Sequence, residues 1–541
     1  MKTKPMALVP VAILTALVLQ LAAAPVISDD AANIDWNKAR GLLDKRNAGQ
    51  PLTPDELSYL TRAMQAKQGA PGGGAPPGGG APKPPGPVDF ASMGGTTGGK
   101  VSALSASDLR VPALAPPTEY EALHTLEPHA LPPLPKLGPA GSVITDPVFG
   151  SRILRATQSD TILKPGNQSF YTTSSSWQNT WNANSTLFYV MAQSGCYLPF
   201  KFNPANFEAS RIKDPSHPSD ALVLKFRRDP NFSFTDPAIL YGVSVDDELT
   251  EYNFANNSYT PLLDLKKLVA KVIGYDTDGV SSSANDELVV AFNGPGQDRL
   301  MNVVWFDKKS GAIHVLDLAN GTIDGKPSKF PLGKGGAHHA SIAKGGRYVN
   351  VINQGVGNVV WDTQTGDCTM ITAQAAAHGA GGYGSWINYA TLADNSGQGW
   401  LYRGFAPAEL ARPKPVLPKT PHFWGDSHPS WNNVQPGKST PFFTAVYAGN
   451  RGAAEKGATP LMGEIIAVST DGSGRIWRFA HHRSAINSGT SMQGGGDFWS
   501  TPRGNISQDG RYFLFDSNWE DTLGADPKGG YRKDVFIAAC K

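Results

Sequence analysis

The chain has 541 residues, with 48 Lys and Arg against 46 Asp and Glu, so its formal net charge is +2. The charges are scattered and form no basic stripe, which excludes a nucleic-acid backbone as the expected partner. Gly (59) and Pro (43) are abundant and charged residues make up only 17%, a composition typical of short strands joined by many turns.

The N-terminus has the pattern of a secretory signal. Lys2 and Lys4 precede an apolar run over residues 6–24, and a basic head followed by an apolar stretch and small residues is typical of an export signal. We predict a signal peptide over residues 1–28 and a secreted or periplasmic location, with no membrane span after cleavage. The run is also long enough to span a bilayer, so an uncleaved anchor is the alternative.

Two short helices and a linker are expected next. In residues 29–68, Thr53 precedes Pro54 and is followed three residues later by Glu56, the pattern of a capping box at a helix start. We therefore predict a helical hairpin there. Residues 69–141 begin with nearly pure Gly, Ala and Pro, which predicts a disordered Gly/Pro-rich linker.

The rest of the chain, residues 142–541, contains degraded repeats. Each repeat has a polar turn followed by an apolar strand, as at Asn184–Val190, Asn285–Ala291, Lys344–Asn350 and Gln508–Leu514. A second repeated element is a strand that leads into a hairpin turn, as at 303–311 and 359–366. Counting weaker copies, seven markers recur at a spacing that suits a four-stranded blade with its loops.

These repeats predict an all-β fold, a β-propeller of seven blades with four antiparallel strands each. A blade leaves a hydrophobic face exposed unless a neighbouring blade covers it, so the sheets are expected to close into a ring. Six or eight blades stay open. A two-sheet sandwich is the alternative fold, but it does not account for the repeated hairpins.

The turn Ser507-Gln-Asp-Gly-Arg-Tyr512 and the strands around it resemble the repeats of TolB-like and WD40-like bacterial propellers. The segments from His339 and from His428 are similar to the opening of the same repeat. The resemblance implies a propeller over about residues 146–540. It also implies a distant similarity to oligogalacturonate-lyase-like propellers, which use histidines and a bound metal in the central pocket. No cluster in this sequence spells out their metal site.

One position in each repeat points to a binding site. Seven residues before the turn glycine, or at the equivalent place, the repeats carry polar side chains, namely Gln178, His339, His428 and Arg503. Such side chains from different blades can converge at the mouth of the channel, where they could hold a carboxylate or sugar hydroxyls. The alternative is that they bind the backbone of neighbouring blades and seal the channel with water.

Other side chains could extend this site. Trp431 and Trp499 lie next to these positions and could stack on sugar rings, whereas most other aromatic residues are expected to be core. A divalent metal ion shared by His339, His378 and His428 is a further hypothesis.

The three cysteines lie at 196, 368 and 540. A circular fold brings its two ends together, so in an oxidising compartment we predict a disulfide between Cys196 and Cys540. The alternative is that all three thiols are small buried side chains.

Two functions are consistent with the sequence. The first is an exported binding module for a glycan, a peptide or an envelope protein. The second is a lyase acting on an acidic polysaccharide, in which Arg503 would neutralise the substrate carboxylate and His339 or His428 would accept a proton.

Overall fold

A computed structural model describes the chain from residue 109 to 541, with gaps. The gaps are residues 163–166, 174, 216, 218, 269–278, 294–298, 331, 333–334, 354–355, 373–377, 392–397, 411, 418–425, 448–459, 487–497 and 527–529. Nearer the N-terminus it describes Asp35, Lys38, Gly41, Leu42, Lys45, Thr53, Glu56, Tyr59 and Leu104. Two compact units are present, residues 1–78 and 79–541.

In the first unit the predicted capping box is confirmed. The Thr53 backbone N–H donates to Glu56 Oε2 at 2.8 Å, and the Glu56 N–H donates to Thr53 Oγ1 at 3.3 Å. Glu56 also pairs with Lys45 at 2.9 Å. The rest of the predicted hairpin, the signal peptide and the linker up to residue 108 lie outside the described residues apart from these positions. In the described part of the chain, no helix is long and apolar enough to cross a membrane.

The second unit is a seven-bladed β-propeller, as predicted. Two strands, β1 (Val143–Thr145) and β2 (Arg152–Arg155), come first. Blade 1 contains β3 (Phe170–Tyr171), β4 (Leu187–Ala192), β5 (Tyr197–Asn203) and β6 (Glu208–Arg211). Blade 2 contains β7 (Asn231–Phe232), β8 (Ile239–Val243), β9 (Glu248–Asn253) and β10 (Ser258–Asp264). Blade 3 contains β11 (Ser281–Ser282), β12 (Glu287–Phe292), β13 (Asn302–Asp307) and β14 (Ile313–Asp317), extended by β15 (Thr322–Ile323) and β16 (Lys326–Pro327).

The remaining blades follow the same plan. Blade 4 contains β17 (Ala337–Ile342), β18 (Tyr348–Asn353), β19 (Gly357–Asp362) and β20 (Cys368–Thr372). Blade 5 contains β21 (Gly379–Gly381), β22 (Ser385–Thr391), β23 (Gln398–Gly404) and β24 (Lys414–Pro415), with a short helix at Pro407–Leu410. Blade 6 contains β25 (Asp426–Ser427), β26 (Phe442–Tyr447), β27 (Glu464–Val468) and β28 (Ile476–His481). Blade 7 contains β29 (Gly504–Ile506), β30 (Tyr512–Ser517) and β31 (Asp534–Ala539). Single 3₁₀ turns lie at Leu265–Lys267 and Phe498–Ser500.

The ring is closed by a strand from the beginning of the propeller. β2 pairs antiparallel with β31, so blade 7 has the strand order β1-β2-β31-β30-β29. An ion pair between Arg155 of β2 and Asp534 of β31, at 2.5 Å, lies in the same seam. Because the last three strands recruit a strand from before blade 1, the two ends of the ring are hydrogen-bonded to each other.

The repeated hairpins seen in the sequence are the turns after the third strands of blades 3 and 4. Asp307 Oδ1 accepts the Lys309 backbone N–H at 2.9 Å, and Asp362 Oδ1 accepts that of Gln364 at 3.1 Å. Each turn ends in a glycine with a φ of +72°, a conformation that favours glycine because it has no Cβ.

Apolar side chains fill the space between neighbouring blades. Most of the aromatic residues near the strand starts are part of this core, including Trp181, Trp386 and Trp519, which are each no more than 1% exposed. Phe188 and Phe200 stack 5.1 Å apart within blade 1. The expectation that most of these aromatics are core residues is confirmed for the described ones.

The C-terminal part of the predicted linker, residues 110–141, lies along blades 6 and 7; we call it the strap. Tyr120 of the strap is buried in a cluster with Phe443 and Trp477. Arg478 donates to the carbonyls of Thr125 at 2.9 Å and Glu127 at 2.8 Å. The strap thus has no core of its own but contributes to that of the propeller.

Candidate functional site

Four polar side chains, His339, His378, His428 and Arg503, lie at one end of the ring, close to the starts of the innermost strands of their blades; we call this end the entry face. His339 is the third residue of β17, and His378 immediately precedes β21. His428 immediately follows β25, and Arg503 immediately precedes β29. Four consecutive blades, 4 to 7, therefore each contribute one of these side chains to the same end of the channel.

These four side chains form what we call the channel cluster. The rings of His378 and His428 are 3.9 Å apart at an interplanar angle of 34°. Arg503 and His339 are close enough to His428 to lower its pKa electrostatically. The ring of Trp177, from blade 1, lies 5.3 Å from that of His339. The structure therefore brings His339, His378, His428 and Arg503 together, with Gln178 placed as described below.

Burial keeps two of the histidines neutral. Desolvation lowers the pKa of His339 well below its ordinary value, and the neighbouring His338 and His378 lower it further. Desolvation also lowers the pKa of His428, with additional lowering from His378, Arg503 and His339. Among the described residues, His339 Nε2 has no hydrogen-bond partner. A buried imidazole nitrogen of this kind can accept or donate a hydrogen bond to a ligand.

Arg503 supplies the positive charge of the cluster. Its guanidinium carbon lies 4.4 Å above the ring of Trp499, and its Nη2 is 3.8 Å from Asp516 Oδ2. Both members of this ion pair are fully buried. Burial raises the pKa of Asp516 to about 6, while the guanidinium of Arg503 opposes that rise. The guanidinium therefore contacts both an indole ring and a carboxylate.

Tyr171 and Asp516 belong to this site and were not predicted from the sequence. The ring of Tyr171 lies 4.8 Å from that of Trp499, and the Thr172 hydroxyl donates to Asp516 Oδ1 at 2.6 Å. Asp516 had a usable signal, because it is the only charged residue in the apolar strand Tyr512–Ser517. Tyr171 had none, since it lies in the two-residue strand β3, outside the aligned repeats.

Gln178 is placed differently from the prediction. Its amide nitrogen donates to Asp229 Oδ2, just before β7 of blade 2, at 3.0 Å and to the Ser175 carbonyl at 3.2 Å, and the amide packs closely against Gly279, just before β11 of blade 3. The backbone carbonyl of Gln178 accepts a hydrogen bond from Asn505 Nδ2 at 2.6 Å. These contacts match the alternative in which a polar side chain binds a neighbouring blade.

Trp431 is a core residue, so its predicted role as an exposed stacking surface is wrong. It is 2% exposed, packs beside Gly382 of blade 5, and its indole N–H donates to the Thr440 carbonyl at 2.8 Å. The bond to Thr440 lies within its own blade. Trp499, in contrast, is partly exposed and contacts Arg503 as described above.

The histidines do not form a metal site. In the part of the chain that the structure describes, no three His, Cys, Asp or Glu side chains are arranged to hold a metal ion. A histidine ligand must point a ring nitrogen at the metal, whereas the rings of His378 and His428 contact each other at a tilt of 34°. The predicted set His339, His378 and His428 therefore does not fit a divalent metal.

The predicted disulfide is also absent. Cys196, Cys368 and Cys540 are all free thiols, and Cys196 and Cys540 pack in two different apolar clusters. Burial raises the pKa of both thiols. The ends of the ring do meet, but the contact is made by the pairing of β2 with β31.

Comparisons with known proteins concern the fold. No protein-family model matches the chain, and no curated protein matches it. Similar solved structures include an oligogalacturonate lyase from Vibrio parahaemolyticus, with 11% identity, a TM-score of 0.43 and coverage of 74% of this chain and 96% of that one. An oligogalacturonate lyase in complex with manganese has 11% identity and a TM-score of 0.44, covering 77% and 99%. The WD40 repeats of RRP9 have 9% identity and a TM-score of 0.36, covering 78% and 100%.

Proposed function

We propose that the protein is an exported binding module that holds a carboxylate-bearing glycan at its entry face. The observation that carries the proposal is the channel cluster, in which one guanidinium and three imidazoles from four blades lie together. Arg503 provides a charge-assisted hydrogen bond to a carboxylate. His339 and His428, both neutral, provide hydrogen bonds for hydroxyl groups, and Trp499 provides an aromatic face.

Export is part of this proposal and rests on the signal peptide expected over residues 1–28, which would direct the protein to the periplasm or out of the cell. An acidic peptide or an envelope protein would present the same carboxylate chemistry. The sugar hydroxyls favour the glycan, because the imidazoles of His339 and His428 are kept neutral and suit hydroxyl groups better than a second negative charge. Binding of peptides but not of glycans would move the proposal to those partners.

The test compares calorimetric affinity for acidic oligosaccharides in the mature protein and in Arg503→Gln. Loss of a charge-assisted hydrogen bond is expected to weaken binding roughly ten- to hundredfold. The matched control is Arg347→Gln. Arg347 lies on the turn that follows β17, at the other end of the ring, and pairs with Asp362. Equal affinity in the wild type and Arg503→Gln would remove the channel cluster from binding.

A second candidate function is elimination at an acidic polysaccharide. It is favoured by one observation, that buried neutral imidazoles lie beside a guanidinium. Arg503 would stabilise the negative charge that develops on the uronate carboxylate as His339 or His428 removes the proton from the adjacent carbon. The electron pair of that C–H bond would form the carbon–carbon double bond as the glycosidic C–O bond breaks, and the leaving oxygen would take up a proton.

Ultraviolet absorbance of the unsaturated uronate product tests this second function. A lyase that uses the channel cluster would produce the absorbance in the wild type and lose it in His339→Ala. His314→Ala is the control, since His314 lies at the rim of blade 3 beside Asp324. If folded wild-type protein binds the same polysaccharide but produces no absorbance, the lyase function is contradicted and only the binding function stands.

A further inference from the structure

A pocket lies at the entry face between blades 6 and 7, beside the channel cluster. Its walls include Tyr447, the last residue of β26, and Met462, Ala485 and Ile486. A cavity of about 30 Å³ lies within these walls, room for a group of a few atoms. The ring of Tyr447 stacks on His428 at a centroid distance of 5.8 Å and an angle of 15°, so one aromatic side chain separates this pocket from the channel cluster.

A buried guanidinium lines the pocket with unused hydrogen-bonding capacity. Arg483 is 3% exposed, and its Nη1 donates to Glu520 Oε1 and to the Pro132 carbonyl, each at 2.8 Å. Its Nη2, in contrast, has no hydrogen-bond partner among the described residues. Because a buried donor without an acceptor is costly, the pocket is suited to a molecule that brings an acceptor.

The backbone around the pocket is held in an unusual conformation. Five residues other than glycine have a positive φ at or beside its walls: Leu461 (67°), Arg483 (56°), Trp519 (50°), Glu520 (55°) and Asp521 (66°). Residues other than glycine rarely adopt this backbone conformation. Such residues cluster at ligand sites, where the surrounding structure enforces the conformation. Both members of the ion pair at the pocket wall, Arg483 and Glu520, are among these five residues.

The chemistry of the walls selects the kind of group that fits. Arg483 is already neutralised by Glu520, so the pocket favours a neutral acceptor over a second carboxylate. The apolar walls at Met462 and Ile486 suit a small alkyl group. A carbonyl oxygen attached to a methyl group meets both requirements.

We infer that this pocket receives a small acyl substituent, an O-acetyl ester, carried by the glycan whose carboxylate binds the channel cluster. The carbonyl oxygen accepts from Arg483 Nη2 and the methyl group lies against the apolar wall. This inference rests on the proposed function, because the acyl group is placed by the same sugar chain. The pocket then distinguishes acylated from unacylated forms of one acidic glycan.

The test uses one acidic oligosaccharide preparation, half of it deacetylated by mild alkali, and calorimetric affinities for both halves. The wild type is expected to bind the acetylated form about tenfold more tightly, a factor that corresponds to about 1.4 kcal/mol. Arg483→Lys keeps a cation beside Glu520 but lacks Nη2, and Ala485→Val narrows the pocket. Both variants are expected to lose the preference while their affinity for the deacetylated form is unchanged, with thermal unfolding as the check on folding.

The outcomes separate this inference from the proposed function. Equal wild-type affinity for both forms would overturn the acyl pocket, which would then hold only water, and would leave the channel cluster as a carboxylate site. A preference that survives in both Arg483→Lys and Ala485→Val would also overturn it. Binding of neither form would overturn both proposals.

Discussion

At the scale of single residues, the ionisation of the buried histidines links the site to stability. His339 and His428 are held neutral, and burial lowers the pKa of His482 to about 3. The unfolded chain takes up a proton at each of these positions near pH 6.5, whereas the folded protein does not. Their contribution to stability is therefore present above pH 6.5 and is lost as the pH falls below it.

Asp516 acts in the opposite direction. Its folded pKa of about 6 lies above its ordinary value of 3.8, so the folded state binds this proton first and gains stability as the pH falls from 6 towards 4. We expect the histidines to outweigh it, and the urea midpoint to fall between pH 7.5 and pH 5. As the pH falls over that interval, each neutral histidine lowers the free energy of unfolding by up to about 2 kcal/mol. His428→Asn should make the urea midpoint depend less on pH, and Asp516→Asn should make it depend more on pH. A urea midpoint that does not change between pH 7.5 and pH 5 would contradict the assignment of neutral histidines.

The residues of the site were only partly predictable from sequence, for a physical reason. His339, His428 and Arg503 could be found because each occupies the same place relative to a repeated turn. Trp431 lies next to such a position, and its predicted exposure is wrong because Gly382 of blade 5 leaves room for the indole in the core. Space of that kind depends on the packing of another blade, which one repeat does not encode.

At the scale of elements, a buried ion pair holds the strap on blade 6. Arg478 and Glu464 are at most 1% exposed and form two hydrogen bonds, at 2.6 and 2.7 Å. Arg478→Leu should lower the free energy of unfolding by about 3–5 kcal/mol, because it leaves Glu464 buried and uncompensated. The double variant Arg478→Leu/Glu464→Leu should recover most of that loss, since the pair itself adds little to stability.

Urea denaturation of both variants checks this expectation, with the partly exposed pair of Arg347 and Asp362 as the comparison. Arg347→Leu should cost at most about 1 kcal/mol. A single variant at Arg478 that is no less stable than Arg347→Leu would show that the strap does not depend on the buried pair. The sequence predicted the strap only as linker, because its Pro-rich pattern has no periodicity and its core contacts are supplied by blade 6.

At the scale of the whole molecule, the account depends on closure of the ring by β2. Deletion of residues 1–155 removes β1 and β2 and leaves β31 as an unpaired edge, which favours association with other chains. Deletion of residues 1–141 removes the strap but keeps β2. We expect the longer deletion to produce aggregates and the shorter one a less stable monomer, as measured by size-exclusion chromatography. Monomers of equal stability from both would contradict closure by β2.

The blade count followed from the sequence because seven turn markers recur at regular spacing. The closure did not, because the four residues of β2 carry no repeat marker and pair with a strand almost 400 residues away in the chain. The predicted Cys196–Cys540 bridge expressed the same idea that the ends of a ring meet. The contact is made instead by backbone hydrogen bonds and by Arg155 with Asp534.

The central claim is that the channel cluster holds the carboxylate-bearing glycan, and imidazole NMR signals test it most directly. Histidine-labelled protein would be titrated with an acidic oligosaccharide and, in parallel, with a neutral one of the same length. The account predicts that the signals of His339, His378 and His428 shift with the acidic ligand only, while those of His217 and His314 stay in place. Binding of the acidic ligand without any shift at the three cluster histidines would contradict it.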